Sequence, residues 1–198
     1  MRLHAIAREL RAHAPFTAFG TVTGIVIMAV VVHARLPRDV SAASFWTFHP
    51  LHVLLSAFVT AAMYRLHGNR GVWRTLLIGY FGSVGIATVS DSLIPYVGEF
   101  LLNLPHRGLH LGFIEKWWLV NPLAVVGIAL AYVRPRTKFP HAGHVLLSTW
   151  ASLSHITMAL GTEVGVATVI LVGVFLFLAV WVPCCTSDIV FPLLFSRE

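Results

Sequence analysis

Continuous apolar runs dominate the chain, at approximately 15–33, 46–66, 73–97, 117–133, 143–161 and 164–183. Each is close to the roughly 20 helical residues that cross a ~30 Å hydrocarbon core. A β-barrel would instead show short segments of alternating polarity. The pattern predicts an all-α integral membrane protein with six transmembrane helices. The first run follows Arg2, Arg8 and Arg11. It is too long for the apolar region of a cleaved signal sequence and reads as a retained signal anchor.

Composition sharpens this picture. Of 198 residues, 57% are hydrophobic and 11% charged, with a mean hydropathy of +0.80, against about 25% charged in soluble domains. The few charges fall by alternate loops. Arg2, Arg8, Arg11, Arg65, Arg70, Arg74, Arg134, Arg136, Lys138 and Arg197 lie on one side, and Arg35, Arg38, Arg107 and Lys116 on the other. By the positive-inside rule both termini are expected in the cytoplasm, at a membrane that reads as the bacterial inner (plasma) membrane. The pI of about 10.0 then reflects topology. No basic-aromatic module points to nucleic acid. Cys184 and Cys185 are neighbours and expected at the cytoplasmic end of the last span, so a disulfide framework is not expected.

The polar residues repeat. HPLHVLLSAF at 49–58 returns as HAGHVLLSTW at 141–150, and SDSLIP at 90–95 returns as SDIVFP at 187–192, at separations of 92 and 97. The order is the same in each half. Residues 1–100 and 101–198 therefore read as two three-helix units within one membrane domain. An odd number of spans inverts the second unit, giving a 3+3 inverted-topology repeat, a building plan of transporters. On the expected helix bounds, His49, His52 and Asp91 lie at the outer face and His141, His144 and Asp188 at the cytoplasmic face, as two separate clusters.

Histidines at i and i+3 project from nearly one helix face and can converge on one ion. Pro50 suits a first helical turn. An aspartate from the next helix would supply an anionic third ligand, with Ser90 or Ser187 beside it. Two imidazoles and a carboxylate suit Zn, Ni, Co, Fe or Mn as the divalent ion, and spacing does not choose among them. A lone histidine near a helix end would more simply bond a carbonyl or a headgroup; the repetition with aspartate is what lifts the motif.

His106, His110 and Glu115 fall in 98–116 and could add ligands, or could belong to an amphipathic interfacial helix anchored by Trp117 and Trp118. His155 is expected near mid-membrane, about 16 Å beyond His144 at 1.5 Å per residue, as a bridge between the sites or a proton relay. Ser148, Ser152 and Ser154 accompany it, and Met63 is its repeat mate. Glycines 20, 24, 79, 82 and 85 would let helices approach closely.

The leading expectation is a small divalent transition-metal transporter or channel that is not itself an enzyme. The alternatives are an intramembrane metal-dependent enzyme of hydrolase type and a haem b or quinone electron carrier using His52, His67, His144 and His155. The order of serine, aspartate and histidine does not match the seven-span ceramidase and adiponectin-receptor hydrolases. Expected partners are the lipid bilayer, a metal ion, and a second copy or a partner membrane subunit.

Overall fold

A computed structural model describes residues 2–66, 71–135, 138–160, 164–186 and 190–195. Among these every regular element is helical. The helices are α1 (Arg2–His33), α2 (Arg38–Leu66), α3 (Val72–Leu101), α4 (Gly112–Glu115), α5 (Trp117–Val133), α6 (Lys138–Ala159), α7 (Val166–Cys185) and α8 (Phe191–Leu194). Four segments, Ala14–His33 and Val166–Cys184 within α1 and α7 together with the whole of α2 and α3, are long and apolar enough to cross a membrane. α5 is apolar but shorter, and α6 carries the serines and histidines that lower its hydropathy.

The chemistry of the surface is inverted relative to a soluble protein. Phe19, Val22, Val26 and Val30 of α1, and Trp73, Leu77 and Phe81 of α3, are exposed, while His49, His52, Asp91, Glu99, His144, Ser148, Ser152 and His155 are buried. Such a surface is stable where lipid replaces water, and with the four long apolar helices it marks a membrane protein.

Residue pairs fix how the helices run. Phe45 meets His155 while Leu55 lies by Gly143, so α2 and α6 are antiparallel. They form the most extensive helix pair. α5 runs parallel to α2, with Gly127 against Ala57 and the Arg65 guanidinium bonded to the Ala131 carbonyl at 3.2 Å. α1 runs parallel to α6, with Gly20 against Thr149, Gly24 against Leu153, and Trp150 Nε1 donating to Thr23 Oγ1.

The two larger apolar clusters among the described residues follow from this pairing. One joins Val53, Ala57 and Ala61 to Val84, Ala87, Ala124 and Ile128 across α2, α3 and α5. The other joins Met28 to Leu153, Ile156, Val172 and Leu176 across α1, α6 and α7. Between them runs a polar seam where α2, α3 and α6 face one another.

Several expected bounds shift, and the shifts move the chemistry. α2 begins at Arg38 rather than 46, because the polar stretch 38–45 is amphipathic enough to continue the helix, and its Ser44 and Thr47 return their hydroxyls to Val40 and Ala43 carbonyls. His52 therefore stands midway along α2 instead of at its opening, and Pro50 is an interior proline whose missing N–H breaks the backbone ladder beside the site. α3 continues to Leu101 rather than 97, so Asp91 lies inside the helix and does not close it. The segment 98–116 is not one interfacial helix: it finishes α3, turns at Asn103 with φ 49°, and re-forms only as the single turn of α4.

Close packing of α5 on α2 depends on Gly127, where a Cβ would overlap the Leu54 carbonyl oxygen. Gly127→Ala is expected to cost about 1–3 kcal/mol through overpacking and to lower the thermal midpoint in detergent. Gly85→Ala, where a Cβ would meet nothing within 4 Å, is expected to leave the midpoint unchanged or slightly raised. Equal stability of both variants would contradict this seating of α5.

Candidate metal centre

The seam is organised by Asp91, on a π-helical turn of α3 at Val89–Leu93. A π turn adds a residue to the repeat and swings side chains out of the regular register, a distortion that recurs at functional sites. Here it presents Ser90, Asp91 and Ser92 to the interior, and all three are buried.

Asp91 is fully enclosed by donors. His49 Nδ1 and His52 Nδ1 reach Oδ2 at 2.9 and 2.7 Å. Ser90 Oγ and Ser148 Oγ reach Oδ1 at 2.7 and 2.8 Å. A carboxylate has about four acceptor positions, and protein groups fill them. An ionised carboxylate only accepts, so both imidazoles donate from Nδ1, and in its neutral form each would then carry its lone pair at Nε2. This is the arrangement in which a carboxylate orients metal-binding histidines from behind.

Histidine from the second half of the chain arrives at the same place. The His52 and His144 rings lie 5.6 Å apart and nearly parallel, at 9°. Nitrogen atoms of these two and the Cys184 sulfur fall within 4.8 Å of one another, all buried. α2, α6 and α7 thus each contribute one donor. Zn–N bonds of about 2.0–2.1 Å and a Zn–S bond of about 2.3 Å would close this triangle with small side-chain movements.

The expectation that His52 and His144 belong to separate clusters on opposite faces is therefore corrected. His52 and His144 meet inside the bundle, because the helix bounds moved and because α2 and α6 cross beside them. His141 lies in α6, but its side chain, like that of Cys185, is outside the described structure, as are all of His67, Ser187 and Asp188. Cys184, near the end of α7, places its sulfur beside the two imidazoles, where it can serve as a soft ligand.

A second buried pair lies nearer the end of the bundle that carries Leu104 and Leu160. His155 Nδ1 reaches Glu99 Oε1 at 2.7 Å, and the Gly108 backbone N–H donates to Glu99 Oε2 at 3.1 Å. His155 sits four residues before Ala159, the last residue of α6. Glu99, which pattern reading passed over as one acid in an interfacial stretch, is 1% exposed. Its signal in the sequence is a carboxylate two residues before the end of an apolar helix.

His110 lies beside this pair, with Nδ1 at 3.3 Å from Glu115 Oε2 and its ring 5.4 Å from that of His155. His106 stands apart: it is exposed, bonded through its backbone N–H to the Ala159 carbonyl, and lines a cleft of about 180 Å³ with Arg35, Arg38, Ser41 and Thr157.

Removing donors from Asp91 should show its role. Ser148→Ala is expected to lower stability in detergent by about 1–3 kcal/mol, as a charged acceptor loses one donor. Asp91→Ala is expected to cost more, since four donors lose their acceptor together. Thermal unfolding of the two variants checks the order, and an Asp91→Ala protein as stable as wild type would contradict the buried network.

No family model, no curated protein and no solved structure matches the chain.

Proposed function

We propose that this protein carries divalent transition-metal ions across a membrane through the central site of His52, His144 and Cys184. The observation that carries the reading is the meeting of two imidazoles and one thiol, from three helices, in the polar seam of an otherwise apolar bundle. Ionisable groups inside membrane spans are costly and seldom idle. Two nitrogens and a sulfur suit borderline ions such as Zn, Ni, Co or Fe(II), and suit Mn less well, because manganese prefers oxygen donors.

In this reading Asp91 is a positioning residue rather than a ligand. It holds His52 as the Nδ1–H tautomer, so that Nε2 can bind an ion, and holds His49 alike. A metal needs that nitrogen deprotonated, so ion binding and proton release are linked. Ser90 and Ser148 donate to Asp91. That use of their protons favours a carrier over a hydrolase with a serine nucleophile.

The helix pairing supports the 3+3 inverted repeat. α2 and α6, which bear the repeated His-x-x-His-Val-Leu-Leu-Ser, pack antiparallel on each other. α1 packs on α6 as α5 packs on α2, so each of the two larger apolar clusters joins two helices of one unit to the first helix of the other. An axis between α2 and α6 would bring the repeat mates His52 and His144 together, which matches their stacking. With the arginine-rich loops inward, the Leu66 end of α2 is the cytoplasmic end, both termini share that side, and the membrane is the bacterial inner membrane.

Proteoliposomes holding a zinc-sensitive dye test the function. Wild type is expected to admit zinc well above protein-free vesicles, and His52→Ala or His144→Ala to lose at least ten-fold of that rate. Wild-type vesicles as tight to zinc as empty ones would overturn transport, even if the protein binds the ion.

A further inference from the structure

The central site accounts for Asp91, His52, His144 and Cys184, and leaves a second set of buried titratable groups unused. Glu99 and His155 are each 1% exposed and bonded to each other, at a cost that an apolar pair would not incur. With Nδ1 donated to Glu99, His155 presents Nε2 on the opposite side of its ring. That nitrogen is buried and has no hydrogen-bond partner among the described residues. A buried imidazole nitrogen left bare is expensive unless something binds it.

His110 completes the pattern. Its Nδ1 is likewise turned to a carboxylate, Glu115, and its side chain is 33% exposed. Two imidazoles sharing one tetrahedral ion through bonds of about 2.0–2.1 Å have ring centres roughly 5 Å apart. His110 and His155 have centres 5.4 Å apart. Phe45 and Trp46 wall the pair, with Phe45 5.3 Å from His155 and Trp46 6.2 Å from His110.

We propose that His110 and His155 form a second metal site, separate from the central one, for a divalent ion of the zinc class with water in its remaining positions. Glu99 and Glu115 are its positioning residues. One ligand reaches solvent and the other is buried, so the site is built to take an ion from outside the bundle. His49 links it to the centre: its ring stacks on Phe45 at 5.2 Å while its Nδ1 shares Asp91 with His52. Gly112 allows this closeness, since a Cβ there would overlap His49 Nε2.

The site is a claim about binding and stands whether or not the protein transports. Zinc titration of the full-length protein in detergent, read by a competing chromophoric chelator, tests it. Wild type is expected to take up two equivalents. His110→Ala, at a partly exposed position that folding should tolerate, is expected to keep one. Glu99→Gln is expected to weaken that same equivalent by about 10- to 100-fold, while His144→Ala removes the other. Two equivalents retained by both His110→Ala and Glu99→Gln would overturn the second site. A single wild-type equivalent lost only in His144→Ala would also overturn it and leave the central site standing. A single equivalent lost only in His110→Ala would uphold the second site and sink the central one.

Discussion

An ionised carboxylate inside an apolar bundle persists only if protein donors replace the water it has lost, and Asp91 imposes that condition on three helices at once. α2 must bring His49 and His52 to Oδ2, α6 must bring Ser148 to Oδ1, and α3 must open a π turn so that Ser90 can turn back to its neighbour. A rotation of any one helix strands a charge. The crossing of α2 and α6 follows, and with it the contact of His52 and His144.

Everything outside the seam makes that crossing affordable. Alanine, glycine and valine bring α5 to α2, and glycines bring α1 to α6, so backbones lie close without large side chains between them. Lipid-facing leucine, valine and phenylalanine leave the polar groups no alternative but to face inward. The result is a run of histidines, each braced or neighboured by a carboxylate or another ring, from His110 through His155 and His49 to His52 and His144, ending at the Cys184 thiol. In the proposed reading this run would give an ion successive stations, with the Phe45 ring between His155 and His49.

Much of this was legible in the residues. The apolar runs gave an all-helical membrane protein, and His49, His52, Ser90 and Asp91 of the first His-x-x-His and Ser-Asp pair are brought together, while Ser187, Asp188 and the His141 side chain lie outside the described structure. Depth was lost, for a physical reason: Ser41 and Ser44 look like an extramembrane stretch, yet Ser44 bonds the Val40 carbonyl and Ser41 packs inside, and so α2 extends beyond its apolar run. That error placed His52 at a surface and its partner at the other. Asp91 was misread for a similar reason, since Pro95 suggests a helix end, whereas here it sits on the first turn after a π bulge. Glu99 and Cys184 depend on which helices are neighbours, and a periodic pattern does not encode that.

The central claim is that one ion is held jointly by α2, α6 and α7. X-ray absorption at the zinc K-edge of protein carrying an ion with the outer pair disabled by His110→Ala reads that shell directly. The account predicts a mixed shell with two imidazoles and one sulfur at about 2.3 Å, the sulfur vanishing in Cys184→Ser. A shell of oxygen and nitrogen alone, identical in the two proteins, would contradict it.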